Sequence, residues 1–285
     1  MAQSLKQIKN RIRSVENTKK VTGAMQMISV VKLHRIEDEL LALRPYALRL
    51  ENLMHHLAGL NPDYLREYFK EKSAAADILL YVLTSDSGLC GMYNQNIIRK
   101  VEDFLRENKS RKVKLILVGQ KGLSYFRSKT LKIANAYIGL NAKLTVGFCD
   151  KVVAEFSELF LTGKVSAVYI AYTYFENAII QRAVIEPLLS IKPKVIKRRE
   201  YFTEPDLKSI LTDIIPQYLK IKTRLVFLEA FTSEHAARTV SMKTATDNAK
   251  ELLELLVLLR NKVRQAGITQ DILEITSSVE ALRGS

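Results

Sequence analysis

The stretch SDSGLCGMYN, residues 85–94, has the residue types of a phosphate-binding or catalytic turn. It follows an apolar run and contains an acid, a cysteine and two glycines. Backbone N–H groups at a glycine-rich helix start can bind anions, so Gly88 and Gly91 raise the possibility of a dinucleotide site. The dinucleotide fingerprint requires a third glycine, and a phosphate loop requires G-x-x-x-x-G-K-[ST]. This chain has neither pattern, so its support for nucleotide binding is weak.

Cys90 is the candidate nucleophile of this stretch, and a base would have to convert it to the reactive thiolate. None of the four histidines lies near Cys90 in the sequence, and the adjacent pair His55 and His56 is not a chelating i, i+4 pair. The only other cysteine is Cys149, and two isolated thiols are typical of a reducing compartment. We therefore expect no catalytic residue, no cofactor and no metal site.

The formal net charge of +14 indicates an acidic partner, which could be nucleic acid, anionic lipid or an acidic protein surface. A nucleic-acid surface would combine basic residues with interleaved aromatic residues, and only Tyr201 and Phe202 follow the basic run at 197–199. The longest nearly apolar run, at 252–259, is interrupted by Glu254 and is too short to span a bilayer. We expect no direct membrane insertion.

The amino-terminal segment has the periodicity of a coiled coil. From Leu5 to Leu57, mostly apolar residues recur in alternating steps of three and four. A sustained repeat of this kind favours a coiled coil over an ordinary amphipathic helix. The repeat has four consecutive polar positions: Lys19, Thr22, Gln26 and Ser29. Pro45 lies inside the segment and predicts a local bend.

The carboxyl-terminal segment repeats this alternation from Met242 to Leu273. Because the two periodic segments lie at opposite ends of the chain, the simplest assembly pairs them as antiparallel helices. Part of the carboxyl-terminal helix should then extend beyond its partner. We place the two helices at 1–60 and 206–283.

The middle of the chain, 75–195, has the pattern of an α/β domain. Short apolar runs at 77–86 and 112–121 predict strands, and helical patterns follow at 94–107 and 122–129. Strands that alternate with helices are typical of a βαβ unit with a parallel sheet. A third helix is expected at 148–163, and two later apolar runs flank Glu176-Asn177 as a hairpin. The predicted fold is therefore α/β, with a mostly parallel central sheet and a long antiparallel coiled coil.

Several long motifs, in order, resemble the gamma-subunit family of F-type ATP synthases. The segment IKNRIRSVENTKKVTGAMQMISVVKLHR at 8–35 is similar to the family's amino-terminal helix. Two segments are similar to its carboxyl-terminal helix, SEHAARTVSMKTATDNAKELLELL at 233–256 and RNKVRQAGITQDILEI at 260–275. SDSGLCGMYNQN matches the family's turn after the first strand, and RPYA at 44–47 and EPD at 204–206 also match.

This resemblance implies a non-catalytic rotor shaft, present once per complex. Its coiled coil would turn inside a hexamer of alpha and beta subunits, and its α/β domain would hold the epsilon subunit and the c-ring. Proton flow through the ring would then drive ATP synthesis in the beta subunits. The resemblance also implies a peripheral position on the cytoplasmic side of a bacterial inner membrane, with no nucleic-acid partner.

The resemblance further assigns contact residues. It places Met25 and Arg238, with the turn that contains Gly88 and Cys90, near an acidic segment of the beta subunit. It places a second group at a beta-subunit loop that contacts the upper part of the shaft, namely Arg264, Gln265 and Thr269. A third group would face the c-ring and the epsilon subunit, namely Tyr201, Phe202, Glu204 and Asp206.

Without this resemblance, the residues leave other classes open. A soluble nucleotide-binding α/β enzyme would be stabilised by ATP or NAD(P) in a thermal-shift screen. A basic coiled-coil nucleic-acid-binding protein would show steeply salt-dependent DNA binding. A generic assembly protein fits the same patterns.

Overall fold

A computed structural model describes residues 5–60, 68, 77–141, 144–190 and 207–283. The chain forms five helices and five strands over these residues. The helices are α1 (Leu5–Leu60), α2 (Tyr93–Glu107), α3 (Gln120–Phe126), α4 (Val146–Leu161) and α5 (Leu207–Arg283). The strands are β1 (Asp77–Leu83), β2 (Val113–Val118), β3 (Lys132–Tyr137), β4 (Val165–Phe175) and β5 (Gln181–Leu189).

The strands form one sheet in the order β3-β2-β1-β4-β5. The first four strands in this order are parallel to one another, and β5 is antiparallel to β4. Glu176 and Asn177 close the β4–β5 hairpin with backbone hydrogen bonds to the carbonyl of Ile180. The predicted α/β class, the mostly parallel sheet and the hairpin are confirmed.

Strand β3 was not predicted from the sequence. Its residues, KIANAY, include lysine, alanine and asparagine, which are depleted in strands. It is an edge strand, and its register against β2 shifts between Leu115 and Ile116. Pairing with β2 holds this segment in the sheet, so its own composition carries little signal.

Both faces of β1 are buried, and its alternating side chains enter two different cores. Leu79, Tyr81 and Leu83 join a large cluster that includes residues of α1, α4 and α5. Leu80 and Val82 join a second cluster with residues of α2 and α3. This period of two explains why β1 is almost continuously apolar, as is usual for a parallel strand covered on both sides.

The chain divides into two compact units, one of Met1–Ile28 with Thr239–Ser285 and the other of Ser29–Arg238. In the first unit, Ile8, Ile12 and Leu256 form a buried cluster, and the hydroxyl oxygens of Thr22 and Thr246 lie 2.8 Å apart. Later residues of α1 therefore meet earlier residues of α5, which is the predicted antiparallel pairing. The division into segments 1–60, 75–195 and 206–283 stays a prediction.

In the second unit, α1 and α5 are also antiparallel, as the contacts of Arg44 with Glu229 and of Glu51 with Lys222 show. Among the described residues, no helix has both the length and the apolar character to cross a bilayer.

Candidate functional site

The turn after β1 has an unusual backbone. Leu89 has φ of 62° and Gly91 has φ of 55°, both in the left-handed region. Glycine adopts this region freely, whereas a leucine there is strained. The side chains of Leu89 and Met92 are 56% and 52% exposed, while Cys90 is 2% exposed. The turn therefore presents two apolar side chains and hides its thiol.

The buried interior of this turn is organised by Asn94. Its Oδ1 accepts a hydrogen bond from the Ser85 backbone N–H at 2.9 Å. Its Nδ2 lies 2.7 Å from Ser85 Oγ and 3.2 Å from Cys90 Sγ. Burial raises the pKa of the Cys90 thiol, and this effect outweighs the lowering by Ser85 and Arg238. Cys90 is therefore protonated at neutral pH, which suits a packed thiol and not a nucleophile.

Arg238 of α5 fastens the turn to that helix. Its Nε donates to the Gly88 carbonyl at 3.3 Å, and its Nη2 donates to the Ser87 carbonyl at 3.2 Å and to Ser87 Oγ at 3.1 Å. The same guanidinium contacts Glu234 Oε1 at 2.7 Å and His235 Nδ1 at 3.2 Å. Since Arg238 is only 4% exposed, its donors are used inside the chain.

The groups around Arg238 are buried and have shifted pKa values. Burial raises the pKa of Glu234, although Arg238 acts in the opposite direction. Burial, followed by the charges of Arg238 and Lys32, lowers the pKa of His235 to about 4. His235 is therefore neutral at pH 7, and Arg238 holds the turn through two backbone carbonyls and the Ser87 hydroxyl.

Asp86, the acid of the turn, is a structural acceptor. Its Oδ1 accepts hydrogen bonds from the backbone N–H groups of Gln120 at 3.2 Å and Gly139 at 3.0 Å. Its Oδ2 accepts from the N–H of Asn141 at 3.0 Å. These donors belong to the segments that follow β2 and β3. Asp86 therefore ties three connections together at the carboxyl edge of the sheet, a role that the sequence analysis missed.

Two glycines after β2 were also missed. Gly119 has φ of 94°, and a Cβ there would lie 2.2 Å from the Thr84 carbonyl oxygen. A Cβ at Gly122 would lie 2.7 Å from Thr84 Oγ1. The start of α3 therefore packs directly against the end of β1. The G-x-x-G spacing at 119–122, at the end of the predicted strand run, was the available signal.

Helix α5 covers the crevice where an open α/β sheet ordinarily binds ligands. That crevice lies beyond the carboxyl ends of β1 and β4, where the strand order changes direction. Here Ser233 Oγ donates to the Thr173 carbonyl at 3.0 Å, and Glu229 Oε2 accepts from the Phe175 N–H at 2.8 Å. The chain fills the position with its own helix, which agrees with the missing nucleotide motifs.

The residues assigned by resemblance lie in different places. Gly88, Cys90 and Arg238 are brought together at the turn. Met25 is half-buried in the other unit. Tyr201, Phe202, Glu204 and Asp206 lie outside the described residues.

Arg264, Gln265 and Thr269 are exposed near the end of α5, where Thr269 Oγ1 donates to the Gln265 carbonyl at 3.0 Å. Every side chain from Arg264 to Val279 is exposed. The large apolar side chains in this stretch are Ile268, Ile272, Leu273, Ile275 and Val279. This helix end has no packing partner among the residues that the structure describes.

Comparisons with known proteins give a consistent result. A family model described as "ATP synthase" matches residues 4–282. The ATP synthase gamma chain of Anaeromyxobacter sp. strain Fw109-5 is 36% identical over 288 residues, covering 98% of this chain and 99% of that relative. The gamma chain of Chloroherpeton thalassium is 33% identical over 301 residues, covering 99% of each chain.

Solved structures show a similar fold. A chain of the Euglena gracilis mitochondrial ATP synthase, OSCP/F1/c-ring in rotational state 3, has a TM-score of 0.67 at 17% identity, covering 98% of this chain and 94% of its own. A chain of the Tetrahymena thermophila mitochondrial ATP synthase central stalk/c-ring has a TM-score of 0.62 at 23% identity, covering 79% of this chain and 99% of its own. These relatives give no support to the enzyme or nucleic-acid-binding alternatives.

Proposed function

The chain belongs to the ATP synthase gamma-chain family of non-catalytic central-stalk subunits, and we propose that it turns as a rotor shaft inside a hexamer of alpha and beta subunits. One copy would serve each complex. Rotation driven by proton flow through a c-ring would change the conformations of the beta subunits one after another. ATP would be made in the beta subunits and not on this chain.

The observation that carries this proposal is the exposed end of α5, which packs against no other described residue. Ile268, Ile272, Ile275 and Val279 follow spacings of four, three and four, so they lie on one face of the helix. All are exposed over a stretch where every described side chain faces solvent. A continuous exposed apolar face on a soluble chain is typical of a protein-binding surface. A surrounding sleeve of other subunits would cover it.

Contacts with the beta subunit are proposed at three places. Arg264, Gln265 and Thr269 are exposed and could donate or accept hydrogen bonds at the end of the shaft. Met25 would add a contact farther along the coiled coil.

The third place is the turn after β1, where the buried side chains act indirectly. Arg238 and Cys90 would hold the turn in shape, and Gly88 would keep its backbone close to Arg238. Leu89 and Met92 would then make the direct contact with the partner, since they are exposed.

The remaining partners and the location follow from the same proposal. Tyr201, Phe202, Glu204 and Asp206 would contact the c-ring and the epsilon subunit. The complex would lie peripherally on the cytoplasmic side of a bacterial inner membrane, held there by the ring. The net charge of +14 favours acidic protein partners on the hexamer.

Co-expression with alpha and beta subunits tests this function. We expect a stable, ATP-hydrolysing complex that contains one copy of this chain by native mass spectrometry. Ile272→Asp, on the exposed end of α5, should reduce the yield of the complex. Ile179→Asp is the matched control, because Ile179 is 85% exposed on the β4–β5 hairpin.

Two results would count against the proposal. The first is a chain that stays separate from a correctly formed alpha–beta assembly. The second is a complex yield that falls equally for Ile179→Asp and Ile272→Asp, because the end of α5 would then have no special part in assembly.

A further inference from the structure

Three elements of the second unit meet at one closed set of hydrogen bonds, which we call the Arg44–Glu229 clamp. Arg44 of α1 donates to Glu229 Oε1 of α5 from Nε at 3.1 Å and from Nη2 at 2.7 Å. Arg44 Nη2 also donates to the Phe175 carbonyl at 2.8 Å, and the Phe175 N–H donates to Glu229 Oε2 at 2.8 Å. The clamp therefore joins α1, α5 and the end of β4 directly.

Glu229 is the more deeply buried partner of the clamp. The Glu229 side chain is 2% exposed and that of Arg44 is 23% exposed. Burial raises the pKa of Glu229, although the Phe175 N–H and Arg44 act in the opposite direction. Burial thus opposes the ionised carboxylate, and apolar side chains of similar volume often stabilise such a position equally well. Stability alone is a weak reason for an ion pair here.

The packing around the clamp is apolar and has no preferred direction. Leu40 and Ala47 of α1 and Phe227 and Phe231 of α5 belong to the same buried cluster as the sheet residues. Hydrophobic contact is non-directional and depends mainly on the area removed from water. Hydrogen bonds weaken steeply when their angles change. The clamp is therefore suited to hold both helices at one angle relative to β4.

We propose that the Arg44–Glu229 clamp transmits rotational load between the sheet and the two long helices. This inference rests on the proposed rotor function. Under load, the sheet and the helices would be pushed in opposite directions around the helix axes. The clamp would keep them turning together, because a slip of the helices past β4 would break its two hydrogen bonds to Phe175.

The chain contains a matched control pair on the same two helices. Arg224 of α5 and Glu39 of α1 lie 2.5 Å apart, with side chains 35% and 42% exposed. The two residues are separated by 185 positions in the sequence, as are Arg44 and Glu229. An exposed ion pair of this kind contributes little to stability. It also lies outside the set of bonds that reaches β4.

The test uses the complete ATP synthase assembled with this chain in inverted membrane vesicles. The variant R44M/E229L replaces the clamp with apolar side chains, and E39L/R224M does the same at the control pair. ATP hydrolysis is measured without a proton gradient, and ATP-driven proton pumping is measured against a gradient. The thermal midpoint of each free chain reports structural damage separately.

For R44M/E229L, we expect unloaded hydrolysis to stay near the wild-type value. The thermal midpoint should fall, because the Phe175 N–H and carbonyl lose their hydrogen-bond partners. Pumping per ATP hydrolysed should fall by a factor of about two or more, as for mutations along a coupling network. E39L/R224M should keep the wild-type ratio. A wild-type ratio in R44M/E229L, or an equal fall in both variants, would overturn the clamp and leave the rotor function standing.

If R44M/E229L does not fold, Arg44→Lys replaces it. Lysine keeps the positive charge but has no planar guanidinium fork. It therefore cannot reproduce the paired contacts of Arg44 Nε and Nη2 with Glu229 Oε1. A lowered pumping ratio supports the proposal, and a wild-type ratio refutes it. If the wild-type chain itself fails to assemble with alpha and beta subunits, the rotor function is refuted and the clamp with it.

Discussion

Replacing Arg238 with alanine should destabilise the full chain markedly. The change removes the only cation that contacts the buried Glu234 carboxylate among the described residues. Breaking a buried ion pair by removing one partner costs about 3–5 kcal/mol, because the other charge stays buried without compensation. The freed carbonyls of Ser87 and Gly88 add less, since water can reach this turn. We expect a loss of about 3–5 kcal/mol in the free energy of unfolding at pH 7.

The loss should shrink as the pH falls. Burial already raises the pKa of Glu234, and removing Arg238 raises it further. At a pH between the pKa of Glu234 in the unfolded chain and its higher pKa in the folded chain, the folded chain binds a proton that the unfolded chain does not. The free energy of unfolding therefore rises as the pH falls through this window, by up to about 1.4 kcal/mol per pH unit. Removing the charge of Arg238 also raises the lowered pKa of His235 in the folded chain. This change further reduces the loss of stability as the pH falls.

Urea unfolding followed by circular dichroism at pH 7 and pH 5 measures both effects. Arg264→Ala is the control, because Arg264 is an exposed arginine of the same helix and should change stability by less than about 0.5 kcal/mol. A deficit below about 1 kcal/mol for Arg238→Ala at pH 7 would refute the buried-pair argument. A deficit that grows from pH 7 to pH 5 would refute the sign of the linkage.

Three further changes test other contacts. His235→Gln should remove about 3 kcal/mol of acid destabilisation, because between pH 6.5 and about 4 the unfolded chain protonates this histidine while the folded chain keeps it neutral; urea titrations show whether that slope disappears. Gly119→Ala should lower the melting temperature more than Gly139→Ala: both have positive φ, but only position 119 has a backbone oxygen within 4 Å of the new Cβ. Equal shifts in calorimetry would contradict this. Thr22→Val and Thr246→Val should couple by about 0.5–1.5 kcal/mol in a double-mutant cycle, and additive losses would argue against their contact.

The sequence predicted the regular elements well, because their signals are local. The run at 78–83 is apolar throughout, and a parallel strand covered on both faces needs that composition. The alternating steps of three and four predicted α1 and the part of α5 from Met242 to Leu273. Edge strand β3 was missed, since its pairing with β2 and not its composition keeps it in the sheet.

The candidate site was predicted less completely. Resemblance pointed to Gly88, Cys90 and Arg238, which the structure brings together, but it did not indicate that Cys90 and Arg238 are buried. Glu229 was missed as well, although a single acid inside the apolar run RLVFLEAF at 224–231 was a usable signal for a buried partner. No local pattern shows that this partner is Arg44, which lies 185 positions away.

The sequence by itself determined the helical periodicity, the βαβ pattern and the absence of a phosphate-binding motif. These properties depend on neighbours a few residues apart, and the same is true of the apolar spacing at the end of α5. Only the tertiary structure decided what the turn at 85–94 does. Its thiol, its acid and its glycine carbonyl have roles set by α5 and by the segments after β2 and β3. Burial and hydrogen bonding depend on distances in space between residues far apart in the chain, and no local repeat encodes those distances.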